Sequence, residues 1–102
     1  MSVLSIVVPS FNEGEMIEKT AETISIIMEN AKIEYEIIFI DDGSTDGTWE
    51  IVSRLGENNH RIAGISFSRN FGKESAILAG LSHTKGDAVA IIDCDLQQPP
   101  PP

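Results

Sequence analysis

Residues 35–43 read Tyr-Glu-Ile-Ile-Phe-Ile-Asp-Asp-Gly, an apolar run that stops at two acids and a glycine. Short runs that are rich in isoleucine and valine and end at turn residues are typical of strands buried on both faces of a parallel sheet. Comparable runs occupy 4–8, 63–67 and 87–92, and the last of them stops at Asp93. The sequence therefore predicts four buried strands.

Helical patterns lie between these runs. A second helix is predicted after Asp46, whose carboxylate can cap it, and a third is predicted over about 72–84. The resulting order, β-α-β-α-β-α-β, predicts an α/β fold with a four-stranded parallel sheet and three helices in three α/β/α layers. The first helix is predicted from apolar residues that repeat every three or four positions on one face, namely Ile17, Ala21, Ile24, Met28 and Ala31.

The composition excludes several classes of protein. The chain has 102 residues, 41% of them apolar, which fits one small domain. Sixteen acidic residues against seven basic ones give a formal charge of −9, which argues against nucleic acid as a partner. The single cysteine indicates a reducing compartment, and no signal peptide or membrane-spanning run is visible, so this chain is expected to be soluble and cytoplasmic. No glycine-rich dinucleotide or Walker loop follows the first strand.

Acidic residues follow three of the predicted strands. Ligands of open parallel sheets bind beyond the carboxyl ends of the strands, so these acids are expected at one edge. Bare phosphate would be repelled there, whereas Mg²⁺ or Mn²⁺ favours oxygen ligands and is often shared with substrate phosphates. The six acids are Glu13, Asp41, Asp42, Asp46, Asp93 and Asp95.

Asp93 and Asp95 are the best metal candidates of this set. They lie one residue apart on a turn that leaves a strand, and Gln97 adds a neutral oxygen at the next alternate position. Two such acids alone are a weak signal, because a solvated turn has the same pattern. Their position after a buried strand favours the metal site.

Other residues at this edge have two interpretations each. Phe11 either stacks on a nucleobase or folds onto the core. Asp41 and Asp42 either belong only to a turn, or one of them accepts from a base or sugar. Arg69 and Lys73 either contact a diphosphate or neutralise neighbouring acids. Cys94 lies between two acids, which would raise the pKa of its thiol, so it is not interpreted as a nucleophile.

Four segments resemble a known family: 5–13 (Ser-Ile-Val-Val-Pro-Ser-Phe-Asn-Glu), 40–48 (Ile-Asp-Asp-Gly-Ser-Thr-Asp-Gly-Thr), 93–100 (Asp-Cys-Asp-Leu-Gln-Gln-Pro-Pro) and 67–74 (Phe-Ser-Arg-Asn-Phe-Gly-Lys-Glu). The first three are similar to the motifs of family-2 glycosyltransferases of the GT-A fold. The fourth resembles the branch that loads a sugar onto a polyprenyl phosphate, which includes dolichyl-phosphate mannose synthases and bactoprenol glucosyltransferases. The resemblance implies a Rossmann-like, nucleotide-sugar-binding half of the GT-A fold.

The resemblance also implies roles for individual residues. Asp93, Asp95 and Gln97 would hold Mg²⁺ or Mn²⁺ against the diphosphate, and the two aspartates would be catalytic. Ile40 and Asp42 would hold the base. With Arg69 and Lys73 added, the predicted nucleotide-sugar site comprises Pro9, Phe11, Glu13, Ile40, Asp42, Arg69, Lys73, Asp93, Cys94 and Asp95.

The expected activity follows from that branch. It is the inverting transfer of glucose from UDP-glucose to undecaprenyl phosphate, at the cytoplasmic face of a membrane. Residues 1–98 would form the nucleotide-sugar-binding part, and 99–102 a proline-rich end of a truncated chain. Alternatives are a family-2 enzyme that extends a polysaccharide, an inactive nucleotide-binding fragment, and an acidic interaction domain. The sequence leaves an oligomeric assembly open.

Overall fold

The structure, a computed structural model, describes residues 2–94 as alternating strands and helices. The predicted order of four strands and three helices is confirmed, as is the α/β fold class. The predicted proline-rich end at 99–102 lies outside the described residues. The elements are β1 (Val3–Ser10), α1 (Gly14–Asn30), β2 (Glu34–Asp41), α2 (Thr48–Asn58), β3 (Ile62–Ser66), α3 (Lys73–Leu81) and β4 (Ala88–Ile91).

The four strands form one parallel sheet in the order β3-β2-β1-β4. Successive side chains of a strand point to opposite faces, so β1 and β2 supply both cores. Ile6 and Phe39 pack with α1 and α2 on one face, and Val7 and Ile38 pack with Ala76 of α3 on the other. The sheet is therefore covered by helices on both faces, as predicted.

The boundaries of the three helices differ from the prediction. Helix α1 ends at Asn30, so Ala31 follows the helix and is exposed, although Ile17 and Ile24 are buried as expected. Helix α2 begins at Thr48, after Gly47 in a left-handed conformation. Helix α3 covers Lys73–Leu81, and turns follow it where three more helical residues were expected.

Strand β1 continues through Pro9, where the apolar run was expected to stop. A proline in an inner strand normally costs a ladder hydrogen bond. Val7 accepts from Ile92 of the β4 side (3.0 Å) and Ser10 accepts from Asp42 of the β2 side (2.9 Å). Because backbone groups alternate in direction along a strand, the missing N–H of Pro9 faces the β4 side. The β1–β4 ladder ends at the Val7–Ile91 pair, and its next bond would need the N–H that Pro9 lacks, whereas pairing with β2 continues to Ser10.

Candidate functional site at the carboxyl edge of the sheet

A cavity of about 290 Å³ opens where β1 and β4 end. The chain runs outward from β1 through β2 to β3 and then returns to the other side of β1, so the strand order reverses at the β1–β4 boundary. Such reversal points are where open parallel sheets bind ligands. The cavity is lined by Pro9, Ser10, Phe11, Glu13, Asp42, Lys73, Asp93 and Cys94.

The loop after β1 brings one aromatic ring and one acid to this cavity. Phe11 is 45% exposed, so its ring does not fold onto the core. Glu13 turns back and accepts a hydrogen bond from the backbone N–H of Phe11 (3.1 Å). The ring therefore presents apolar surface at the mouth of a polar cavity, which suits stacking on a flat ligand.

Asp42 joins the end of β2 to the start of α3. Its carboxylate accepts hydrogen bonds from the backbone N–H groups of Phe71 (2.8 Å) and Gly72 (3.0 Å), and its carbonyl accepts from the Asn70 side chain (3.3 Å). The residue is only 4% exposed. A carboxylate has about four lone-pair sites, so two remain for further donors. The turn and the ligand interpretations of Asp42 are thus compatible.

Lys73 and Asp93 form an ion pair across the cavity, with 2.6 Å between Nζ and Oδ1. Both side chains are more than half exposed, so solvent screens the pair. Of the two interpretations of Lys73, the structure shows the neutralisation of an acid, namely Asp93. Lys73 is the first residue of α3 and lines the cavity.

The carboxylates of the cavity fit a hard cation in their chemistry. Glu13, Asp42 and Asp93 contribute three acids to the lining described, against the single ammonium of Lys73. Within residues 2–94, no three His, Cys, Asp or Glu side chains converge closely enough to hold a metal ion by themselves. The two other predicted ligands, Asp95 and Gln97, lie outside the described residues.

Of three further predicted site residues, Cys94 lines the cavity, whereas Ile40 and Arg69 do not. Cys94 is nevertheless 1% exposed and packs in the core, and its carbonyl accepts from the Thr20 hydroxyl (2.9 Å). Ile40 is fully buried on the α3 face of the sheet. The Arg69 guanidinium lies 4.8 Å from the centre of the Phe71 ring, and the residue does not line the cavity.

Asp41 and Asp46 bind backbone groups of neighbouring turns. Asp41 is 2% exposed and accepts from the N–H of Ser44 (3.0 Å). Asp46 was expected to cap α2 directly. Its carboxylate instead lies one residue further out and accepts from the N–H of Thr48 (3.0 Å), from the Thr48 hydroxyl and from the N–H of Gly14 (3.2 Å). One side chain therefore binds the first residues of both α1 and α2.

The stability of the chain should depend on the ionisation of Asp46. The hydrogen bond from the Thr48 hydroxyl is the largest effect and lowers the pKa of this carboxyl below its ordinary value. Desolvation, the second-largest effect, opposes it, and hydrogen bonds from the backbone of Gly14 and Thr48 lower the pKa further. Because the folded-state pKa is the lower one, the contribution is complete above the ordinary pKa of about 3.9 and is lost as the pH falls through the depressed value.

Urea unfolding of wild type and Asp46→Asn from pH 7 down to pH 2 measures this dependence. We expect the wild type to be more stable near neutrality and the difference to close in acid. Glu57→Gln removes an exposed carboxylate near the end of α2 and is the control. A constant difference between wild type and Asp46→Asn across the pH range would contradict the assignment.

Two residues of this edge were not among the predicted site residues: Ser10, which lines the cavity, and Asn12. Asn12 lies between Phe11 and Glu13, has a positive φ of 51°, and is hydrogen-bonded to Ser44 and Thr45. The only local signal is its residue type, since asparagine tolerates left-handed backbone better than most residues. Its partners lie more than thirty positions away in the chain.

Comparisons with known proteins agree with this geometry. The family model described as Glycosyl transferase family 2 matches residues 5–101. The bactoprenol glucosyl transferase of Shigella phage SfX is 49% identical over 96 residues, which cover 94% of this chain and 32% of the phage protein. The putative glycosyltransferase CsbB of Bacillus subtilis (strain 168) is 46% identical over 97 residues, which cover 95% of this chain and 30% of CsbB. The chain thus spans about a third of the length of these curated relatives.

Solved structures show the same fold. The mannosyltransferase PcManGT from Pyrobaculum calidifontis, in complex with GDP-Man and Mn²⁺, superposes with a TM-score of 0.74 at 29% identity, covering 90% of this chain and 27% of that protein. The glucosyl-3-phosphoglycerate synthase from Mycobacterium tuberculosis, in complex with UDP, gives 0.71 at 29% identity, covering 92% and 34%. From the family match over nearly all its residues, the chain belongs to glycosyl transferase family 2.

Proposed function

We propose that this chain forms the nucleotide-sugar side of an enzyme that transfers glucose from UDP-glucose to a polyprenyl phosphate, with inversion. One observation carries the proposal: the cavity at the reversal of strand order brings together an aromatic ring, acids and an ammonium group, namely Phe11, Asp42, Asp93 and Lys73. The similarity to the phage bactoprenol glucosyl transferase supports the sugar and the acceptor. The mycobacterial neighbour with bound UDP supports the uridine donor.

In this proposal the nucleotide occupies the β1–β2 side of the cavity. The Phe11 ring stacks on the base, which would use its exposed apolar surface. A remaining lone pair of the Asp42 carboxylate accepts a hydrogen bond from a base N–H. The hydrogen bonds from the N–H groups of Phe71 and Gly72 fix the orientation of this carboxylate. A group whose orientation is fixed before binding loses less conformational freedom when the ligand arrives.

The diphosphate occupies the β4 side, between Asp93 and Lys73. The cavity described is too acidic for a bare diphosphate, so we propose that Mg²⁺ or Mn²⁺ binds Asp93 together with Asp95 and Gln97. Such an ion supplies neutralisation of the charge that develops on the leaving nucleoside diphosphate. Lys73 then contacts a diphosphate oxygen, exchanging its ion pair with Asp93 for the donor.

The acceptor needs little help from a protein base. A phosphate monoester has its second pKa near 6, so it is largely ionised at neutral pH and can attack the anomeric carbon directly. Attack on the side opposite the leaving diphosphate inverts that carbon. Among residues 2–94 no helix is long and apolar enough to cross a bilayer. We propose that the polyprenyl acceptor is presented at the cytoplasmic face of a membrane.

Calorimetric titration of UDP, with and without Mn²⁺, tests the donor side. We expect Mn²⁺-dependent binding by the wild type and at least about a tenfold loss of affinity in Asp93→Asn, since one charged metal contact is removed. Glu57→Gln is again the control, because it removes an acid of similar exposure away from the cavity. GDP in place of UDP tests the base. Unchanged UDP affinity in Asp93→Asn, or no binding by the wild type, would contradict the proposal.

A further inference from the structure

One residue of the loop between β1 and α1, Asn12, has a left-handed backbone conformation. Asn12 has a φ of 51°, in the left-handed region that L residues rarely adopt. It lies between Phe11 and Glu13, both of which line the cavity, while Asn12 itself does not. Left-handed residues that persist must be stabilised by their surroundings, and they are frequent at binding sites.

Two reciprocal hydrogen bonds stabilise this conformation. The Asn12 N–H donates to the Ser44 hydroxyl (2.8 Å), and the Asn12 side-chain oxygen accepts from the N–H of Thr45 (2.8 Å). Both bonds join the loop after β1 to the loop after β2. Asn12 is therefore bound through both its backbone and its side chain, to two successive residues of the second loop.

The same two loops are joined by two further bonds. The N–H of Glu13 donates to the Thr48 hydroxyl (3.2 Å), and the N–H of Gly14 donates to the Asp46 carboxylate (3.2 Å). Residues 12–14 therefore form four consecutive bonds with residues 44–48. Asn12 is the member nearest to Phe11, and it alone contributes a side-chain acceptor from the first loop.

We propose that Asn12 is a positioning residue, which fixes the loop after β1 so that the Phe11 ring is directed at the base of the nucleotide. The proposal rests on the proposed function for the ligand, and on the four bonds for the positioning. Phe11 is nearly half exposed and belongs to neither core cluster of residues 2–94. Its orientation depends on the backbone on which it is carried, and Asn12 restricts that backbone.

A double-mutant cycle separates positioning from general stability. Asn12→Gly removes the side-chain acceptor while glycine still adopts positive φ without strain. We expect Asn12→Gly to weaken Mn²⁺-dependent UDP binding by about tenfold when Phe11 is present and by less than about twofold in a Phe11→Ala background. Asn12→Asp keeps the acceptor oxygen and should restore most of the affinity. Equal losses in the two backgrounds would overturn the proposal.

Lys32→Gly is the matched control. Lys32 is the other residue with positive φ outside glycine among those described, at 58°, in the turn that precedes β2 at the opposite end of the sheet. It makes the same backbone change as Asn12→Gly without touching the cavity loops. UDP affinity should be unchanged in Lys32→Gly, and an equal loss there would assign the effect to chain flexibility in general.

A measurement without ligand distinguishes this proposal from the proposed function. Backbone ¹⁵N relaxation reports order parameters of about 0.85 for rigid amides and below about 0.6 for flexible ones. We expect the Phe11 and Glu13 amides to change from the first range to the second in Asn12→Gly and to stay rigid in Asn12→Asp. Rigid amides in Asn12→Gly would overturn the positioning. Flexible amides in a chain that does not bind UDP would retain the positioning and reject the donor.

Discussion

Replacement of Gly43 by alanine should lower the free energy of unfolding by about 4 kcal/mol or more, because two separate costs combine. Gly43 has a φ of 77°, which costs an L residue about 1–2 kcal/mol. Its added Cβ would also overlap the backbone carbonyl carbon of Arg69 and the backbone nitrogen of Asn70. Backbone atoms cannot move aside as a side-chain tip can, so the loop after β3 would have to separate from the loop after β2.

Thermal unfolding of Gly43→Ala measures this effect. For a chain of this size we expect the midpoint to fall by more than about 15 °C. Gly47→Ala is a matched control in the same loop, since Gly47 also has positive φ, at 89°, but its nearest atom would be the flexible Glu50 carboxylate at 3.8 Å. In Gly47→Ala the free energy of unfolding should fall only by the cost of positive φ, about 1–2 kcal/mol. Similar losses in the two variants would show that the two loops do not pack as closely as described.

Replacement of Asp42 by alanine should lower the free energy of unfolding by about 3 kcal/mol, because two backbone donors lose a charged acceptor. The N–H groups of Phe71 and Gly72 precede α3 and bind the two oxygens of this carboxylate. Asp42 is buried, so water cannot fully replace it. Asp42→Asn keeps one acceptor oxygen and should lose less.

Chemical denaturation of Asp42→Ala tests the loss, and Asp87→Ala is its control. Asp87 also accepts from a backbone N–H, that of Val3 (2.8 Å), but in an exposed position where water can replace the carboxylate. We expect a loss below about 1 kcal/mol there. If Asp42→Ala were no less stable than Asp87→Ala, the carboxylate would not be what joins β2 to α3. Nucleotide affinity should then be measured well below the unfolding midpoint, where both variants are folded.

The elements of this fold were predictable because their signals are local. Strand β2 is a run of apolar residues that stops at two acids, and helix α1 repeats its apolar residues on one face. The strand order was not predictable, since alternation of strands and helices does not determine which side of β1 receives the fourth strand. That order decides where the cavity opens, and it places Asp93 beside residues of the first strand.

The sequence predicted a site at the carboxyl ends of the strands, where the cavity lies, but it did not predict the hydrogen bonds and packing of the side chains there. The sequence identifies acids at strand ends, yet Asp42 is bound by backbone groups about thirty positions away, which no local pattern indicates. Cys94 lines the cavity and at the same time packs in the core beside Thr20, which its position between two acids does not indicate. The roles of Asp95 and Gln97 stay predictions, because these residues lie outside the described part of the chain.

The central place of β1 has a consequence for synthesis on the ribosome. On one side of β1, Leu4 pairs with Tyr35 of β2. On the other side it pairs with Ala88 of β4, which is 84 positions later in the chain. At ordinary elongation rates of about 5–20 residues per second, roughly 4–17 s pass between the synthesis of those two residues. Throughout that interval one side of an almost wholly apolar strand has no partner, which favours association with chaperones. Of the strands in residues 2–94, β4 is synthesised last, so the cavity beside β1 can close only after β4 has been made.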